Sequence, residues 1–570
     1  LIDDLKPSFI RWPGGCIVEG LTLENRVKWK ETIGPAVERP GEYNLWGYRA
    51  TYGIGYHEFL QFCEDIGADG MFVCNAGMSC LFRNGDYVMG EDLEPLIQEA
   101  LDAIEYALGD AETTKWGAER KKNGHPEPFP LRYVEVGNEN VFFRYAQNYN
   151  RFHKAIKEKW PQVEVITALM FSDNLKEVKE TDIIDPHYYE TAEWFYNNAD
   201  VYDKLPSRLP YKVYIGEYAA IGQSNLYASL AEAAFLTGVE RNGGKIHMVS
   251  YAPLIEHEHF GVNHLMAVDQ EKAFGRTNYQ VMKMNALNRP DYNVKTTMSG
   301  ETVKQPYAPK GLVGLSTGGT ESQFKDLKVV ANGKTLYSTD FSDFDKAWKV
   351  YRGKWEAKDG VLTQSELGDG LAVLNDLPQG NCTITLKARR DHGNEGFRVV
   401  FGFRDTGHYF MADMGTHTNE SVIFREIGDN GSVSLFDYRN QKFLVNDHWY
   451  DVRIEISDNV WKCYMDGKLA YQYDYRKVTR HYAVSGYDKA AGELIIKLVN
   501  AEPSAWAPEL ALKGGKVAGP VTRISLSGPR GGENSFEHPD AIVPVTTTIG
   551  TPDLSVDPYS FTIFRIPVKK

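Results

Sequence analysis

Two glutamates stand out because each closes an apolar, strand-like run: Glu139 in Tyr133-Val-Glu-Val-Gly-Asn-Glu-Asn140 and Glu217 in Tyr211-Lys-Val-Tyr-Ile-Gly-Glu-Tyr218. Paired carboxyl groups at strand ends suit retaining hydrolysis of a glycosidic bond, in which one attacks the anomeric carbon while the other handles the proton. A lone Asn-Glu dipeptide is more often a helix cap. The strand before Glu139 and the matching second glutamate favour chemistry instead. Asn138 adds a neutral hydrogen-bonding group suited to a sugar 2-hydroxyl. Arg11, in Phe9-Ile-Arg-Trp-Pro-Gly-Gly15, carries a permanent charge that can keep Glu217 ionised, against the plainer reading of a rim salt bridge. His187 and Tyr189, in Asp185-Pro-His-Tyr-Tyr189, are placed to donate to Glu217, and Gly216 leaves room for a ligand to approach. Glu135 reads as an inward-facing structural partner.

These side chains need a frame, and the sequence between residues 7 and 290 supplies one. Short apolar runs at 8–11, 70–75, 131–137, 163–168, 182–185, 212–216 and 246–252 alternate with amphipathic stretches such as Leu93, Leu96, Ile97, Leu101, Ile104 and Leu108. The first pattern predicts buried parallel strands and the second predicts helices with one apolar face. Strict alternation means β/α units, hence an α/β barrel of TIM (β/α)8 type that is one strand short, with the chain starting almost on its first strand.

Beyond Pro290 the texture becomes β-rich. Residues 309–480 hold Trp348, Trp355, Trp449 and Trp461, alternating runs, and Asp-Gly turns at 359, 369 and 466. They read as an inserted concanavalin- or laminin-G-like sandwich. Its aromatics suit either polysaccharide binding or packing. Residues 293–308 with 481–570 read as a second all-β domain, and residues 1–292 as the barrel.

Lys and Arg number 63 against 77 Asp and Glu, a formal charge of −14. That excess argues against nucleic acid or an anionic membrane surface and favours a neutral ligand. No apolar run reaches the ~18 residues a membrane span requires. The six cysteines are too sparse for a disulfide scaffold.

Taken together, Arg11-Trp-Pro-Gly-Gly-Cys16, Gly137-Asn-Glu-Asn140, His187-Tyr-Tyr189, Gly216-Glu-Tyr218, the Thr51–Phe59 run and Ser250-Tyr-Ala-Pro253 resemble family 51 glycoside hydrolases, chiefly α-L-arabinofuranosidases. The likeness covers residues 1 to about 290 and the final β block. It implies Glu139 as acid/base, Glu217 as nucleophile, Asn138 on the arabinose 2-hydroxyl, Arg11, His187 and Tyr189 supporting the nucleophile, and Cys16 near the sugar. It further implies exo-acting release of arabinofuranosyl residues from arabinan or arabinoxylan, with no cofactor or metal and with a secreted or periplasmic location. The partners are neutral plant polysaccharides or oligosaccharides, and an oligomer is compatible. The family's first barrel strand and its substrate-binding glutamate precede this chain's first residue. Either the chain is a fragment or an N-terminal segment is supplied separately. Two rivals stay open: another retaining activity on the same barrel, such as an endo-β-glucanase or β-xylosidase, and a non-catalytic carbohydrate-binding protein.

Overall fold

The computed structural model describes residues 1–140, 143–169, 173–259, 263–299, 309–419, 421–428, 431–435, 444–458, 460–474, 480–550 and 553–569. Residues 300–308 of the expected 293–308 segment lie outside them. The chain divides into two compact units: residues 1–189, 199–296 and 482–570 form the first, and residues 190–198 with 297–481 form the second.

Seven parallel strands build the first unit. They are β1 (Phe9–Trp12), β2 (Asp69–Cys74), β3 (Leu131–Val136), β4 (Glu164–Thr167), β5 (Ile183–Ile184), β6 (Lys212–Ile215) and β7 (Ile246–Val249), in that spatial order. Among the described residues no ladder joins β7 to β1. The sheet is therefore an incomplete TIM-like barrel. The first residues lie against the last barrel helix, since Tyr279 Oη donates to the Leu1 carbonyl at 3.0 Å and Lys283 pairs with Asp4 at 3.0 Å.

The interior is filled by one side chain from each strand: Phe9, Met71, Tyr133, Ile166, Ile183, Tyr214 and Met248 form a single apolar cluster. Phe9 meets Tyr214 edge to face at 5.5 Å across this layer. The outer faces pack under helices α1 (Tyr56–Ile66), α2 (Glu94–Leu108), α3 (Phe143–Lys159), α4 (Leu226–Arg241) and α5 (Thr277–Leu287). On β1 this makes every residue count, because Trp12 points outward and stacks on Phe59 at 5.7 Å while its neighbour Arg11 points in.

The C-terminal segment of this unit forms an antiparallel sheet in the order 292–294, 481–488, 493–500, 560–569, 521–527 and 545–549. One face buries Leu494, Ile496, Leu498, Phe564 and Ile566 under Trp506, Leu554 and Val556. From the other face the buried Lys497 reaches Glu240 on α4 at 2.5 Å and Asn285 on α5 at 3.1 Å. Losing one partner of such a buried pair strands a charge, so it ties this sheet to the barrel in one arrangement.

The second unit is two antiparallel sheets of seven and eight strands. Trp461, on a strand of the larger sheet, is fully buried and meets Phe401, Phe410 and Phe424 of the smaller sheet edge to face at 5.1, 5.1 and 5.7 Å. Trp348 is likewise buried between Phe341 and Phe344. These two rings hold the sandwich together and leave no face for a sugar.

Candidate active site

The pleat decides what stands above the apolar layer. Two residues beyond Phe9 and Tyr133, on the same inward face, come Arg11 and Glu135. Arg11 Nε donates to Glu135 Oε2 at 2.6 Å and Nη2 to Glu135 Oε1 at 3.2 Å. The remaining donors reach further: Nη1 to Glu217 Oε1 at 2.7 Å and Nη2 to Asn138 Oδ1 at 2.9 Å. One guanidinium thus joins β1, the β3 end and the residues after β6.

After β3 the chain turns through Gly137 at φ +82° and Glu139 at φ +47°. A Cβ on Gly137 would lie 2.1 Å from Asn140 Oδ1, so only glycine fits there. Left-handed backbone at Glu139 is uncommon for a side-chain-bearing residue and turns its carboxyl back over the barrel mouth. Asn140, behind it, is held by Glu19 Oε1 at 2.7 Å.

Glu217 is buried, which by itself would raise its pKa. The positive charges of His187 and Arg11 and the Tyr189 hydroxyl outweigh burial and hold the carboxyl below its ordinary 4.5. Tyr189 Oη donates to Glu217 Oε2 at 2.5 Å. Burial likewise opposes charge on His187, but the Glu217 and Asp185 carboxylates overcome it and hold the imidazole well above its ordinary 6.5. Burial and the adjoining Asp185 push Glu135 up to about 8 despite Arg11.

His187 serves more than Glu217. Its Nδ1 lies 3.0 Å from Glu139 Oε1 and 3.7 Å from Glu217 Oε2, so the imidazole stands between the two glutamates and closer to the first. On the other side Nε2 meets Asp185 Oδ2 at 2.9 Å. Gly216 also plays a different part from the one its spacing indicated. A Cβ there would lie 2.4 Å from both Asp185 oxygens, and its N–H donates to Asp185 Oδ1 at 2.6 Å. The glycine makes room for a carboxylate of the protein, not for a ligand.

Glu139, Glu217, Asn138, Arg11, His187 and Tyr189 therefore share one network, and Cys16 borders it with Sγ 3.8 Å from both Glu139 Oε2 and Asn138 Nδ2. A carboxylate oxygen of Glu139, a His187 nitrogen and a carboxylate oxygen of Glu217 all lie within 4.8 Å of one another. The same closeness makes these three, or Glu135, Asp185 and His187, formal candidates for metal ligands. Their lone pairs are already committed to Arg11, Tyr189 and His187, and a permanent cation sits among them, so the donor set fits a second cation poorly.

Sequence reasoning passed over two residues. Asp185 orients His187, and its only signal was an acidic residue two positions before a histidine. Trp46 stands half-exposed at the mouth: the position of a Cβ on Gly15 is 3.9 Å from both Trp46 Cη2 and Glu217 Oε1. A tryptophan in a turn-rich loop carried no signal at all.

Two family models together cover residues 1–560. The α-L-arabinofuranosidase 1 domain matches residues 1–207, and the α-L-arabinofuranosidase C-terminal domain matches residues 200–560. The chain belongs to the α-L-arabinofuranosidase family. It is a glycoside hydrolase of family 51. An extracellular exo-α-L-arabinofuranosidase of Streptomyces chartreusis is 32% identical over 95% of this chain and 68% of its own length. Alpha-L-arabinofuranosidase 1 of Arabidopsis thaliana is 43% identical over 45% of this chain, a match that spans 37% of the plant protein. The fold is shared with an arabinose-bound family 51 arabinofuranosidase at TM-score 0.62 and 23% identity, covering 100% of this chain and 66% of that one. The Thermotoga maritima arabinofuranosidase aligns at TM-score 0.55 and 14% identity, covering 99% and 88%. Among the described residues, no helix is long and apolar enough to cross a membrane.

Proposed function

We propose that this arabinofuranosidase releases terminal α-L-arabinofuranosyl residues from neutral plant polysaccharides by double displacement. The observation that carries this reading is that one carboxylate oxygen of Glu139 and one of Glu217 lie within 4.8 Å of each other. Carboxyl groups roughly 5 to 5.5 Å apart leave no room for a water between nucleophile and anomeric carbon, whereas inverting pairs stand about 6.5 to 9.5 Å apart.

Glu217, ionised beside Arg11 and Tyr189, attacks the anomeric carbon and the bond to the glycosidic oxygen breaks. Glu139 gives its proton to that leaving oxygen. The glycosyl ester on Glu217 is then attacked by a water whose proton Glu139 takes back. Asn138, fixed by Arg11, meets the sugar 2-hydroxyl, where contacts strengthen as positive charge develops on the ring. Cys16 borders the sugar, and Trp46 with the stacked Tyr48 ring, 6.4 Å away, offers an apolar surface to the rest of the substrate.

Arabinan and arabinoxylan side chains are the substrates this implies, and action outside the cytoplasm follows from polymers of that kind. The extracellular relative supports it. We assign catalysis to residues 1–292, an accessory role to the inserted sandwich of 309–480, and support of the barrel to the remaining β segment.

A panel of nitrophenyl α-L-arabinofuranosides, β-D-xylosides and β-D-glucosides, with the first product followed by proton NMR, tests the reading. The furanoside should be hydrolysed with net retention. Preference for a pyranoside, or inversion, would overturn it.

The ionisation state of Glu217 gives a second test. Tyr189→Phe removes one hydrogen bond to the carboxylate, so its pKa must rise. The acid limb of kcat/KM should then move to higher pH by about one pH unit, given ~1.5 kcal/mol for a hydrogen bond to a charged group. An unmoved acid limb would mean that Glu217 is not the group that must ionise.

A further inference from the structure

Two thiols meet at the edge of the site for a reason the hydrolytic cycle does not need. Cys16 lies in the tight turn Gly15–Val18 that follows β1, and Cys80 lies in the loop that follows β2. The two segments are stitched together. Cys80 N–H donates to the Gly20 carbonyl at 3.1 Å, and Asn75 Nδ2 to the Val18 carbonyl at 3.1 Å. This leaves the Cys16 and Cys80 sulfurs and a Glu19 carboxylate oxygen within 4.8 Å of one another. Both cysteines are free.

The pair is also unevenly charged. The Cys16 thiol and the Arg83 guanidinium, whose Nη1 is 3.0 Å from Cys80 Sγ, bring the Cys80 thiol down to about 6 from an ordinary 9. Cys16 is pushed the other way, chiefly by Cys80 and by burial. With Arg83 against the Cys80 sulfur, the pair favours a thiolate on Cys80 next to a thiol on Cys16, the arrangement from which disulfides form. Burial instead pushes Cys63, Cys74 and Cys382 up. Cys80 itself is buried, yet it lies one side chain deep, because exposed Arg83 reaches its sulfur and Cys16 beside it is partly open.

We propose that Cys16 and Cys80 are a redox-sensitive pair that closes to a disulfide under hydrogen peroxide and slows the enzyme. The Cys80 thiolate attacks one peroxide oxygen; the S–O bond forms, the O–O bond breaks and hydroxide leaves. The Cys16 sulfur then displaces the hydroxyl of the Cys80 sulfenic acid, its own proton leaving with that hydroxyl as water. Two sulfurs lose two electrons between them, and peroxide is reduced to water and hydroxide.

The consequence for activity rests on the reading of Glu139 as acid/base. A disulfide of about 2.05 Å draws the Cys16 sulfur toward Cys80 and so disturbs its 3.8 Å contacts with Glu139 and Asn138. The same side chains would suit a thiophilic cation less well, since Arg83 already sits on one sulfur and Asn140 on Glu19.

The test treats the full chain with hydrogen peroxide and reads two things separately. Peptide mass mapping should find Cys16 joined to Cys80 with the loss of two hydrogens, and arabinofuranosidase activity should fall about tenfold and return with dithiothreitol. Cys80→Ser should show neither change. Absence of the cross-link in the wild type, or reversible loss of activity in Cys80→Ser to the same extent, would overturn the proposal. So would a cross-linked enzyme of unaltered rate. The mapping requires no turnover, so a failure of the assigned activity would not be mistaken for a failure of the pair.

Discussion

Glu217→Gln is expected to lower turnover of every arabinofuranoside by at least about 10⁴-fold while leaving the fold intact. No other side chain in the cluster can form the covalent intermediate, and activities that lose a nucleophile fall by factors of this size. The amide keeps the shape of the carboxylate: its oxygen can still accept from Arg11 while its NH2 faces Tyr189, whose hydroxyl can turn to accept, so packing is little disturbed. The loss should therefore appear equally on good and poor leaving groups, and the thermal transition should stay cooperative. Activity within tenfold of wild type on any furanoside would remove Glu217 from the nucleophile's role.

Glu139→Ala is expected to behave differently. The first step needs its proton only where the leaving group is poor, so alkyl and oligosaccharide substrates should slow by about 10² to 10⁴, the range ascribed to general acid–base help. Nitrophenyl arabinofuranosides should still form the glycosyl-enzyme and then stall, because no base activates water. Added azide needs no base, fits the space vacated by the carboxylate, and should restore turnover with formation of an arabinofuranosyl azide. Equal losses on all leaving groups with no azide rescue would mean that Glu139 positions substrate and does not transfer the proton. Cys16 Sγ, 3.8 Å from Glu139 Oε2, remains in this variant, and a thiol cannot replace the carboxylate at neutral pH because Cys16 holds its proton well above the ordinary range.

Local sequence determined a good deal of this protein. Alternating apolar runs and 3.6-period helices follow from side-chain direction alone, so seven parallel strands, their order and their helices were legible in residues 7–290. Period-2 alternation also determined that Arg11 follows Phe9, and Glu135 follows Tyr133, on one face. The motif residues Glu139, Glu217, Asn138, Arg11, His187 and Tyr189 could be picked out because each sits near the end of a strand-like run, whereas Cys16 was marked only by the family resemblance.

Their pairings belong to tertiary structure. Which carboxylate His187 touches depends on where β3 and β5 end relative to one another, a distance that no spacing along the chain encodes. The service of Gly216 to Asp185 arises from the close approach of β5 and β6. The division of the four tryptophans is another case: Trp461 and Trp348 became core once two sheets closed over them, although their local pattern matched a binding surface equally well. The meeting of Cys16 with Cys80 was invisible for the same reason. Neither lies in a spaced cysteine motif, and parallel neighbours β1 and β2, separated by a long connection, alone bring their following loops together. Sequence determines which face a side chain takes on its own element; only the packed barrel decides which faces meet, and with them the ionisation states on which the chemistry depends.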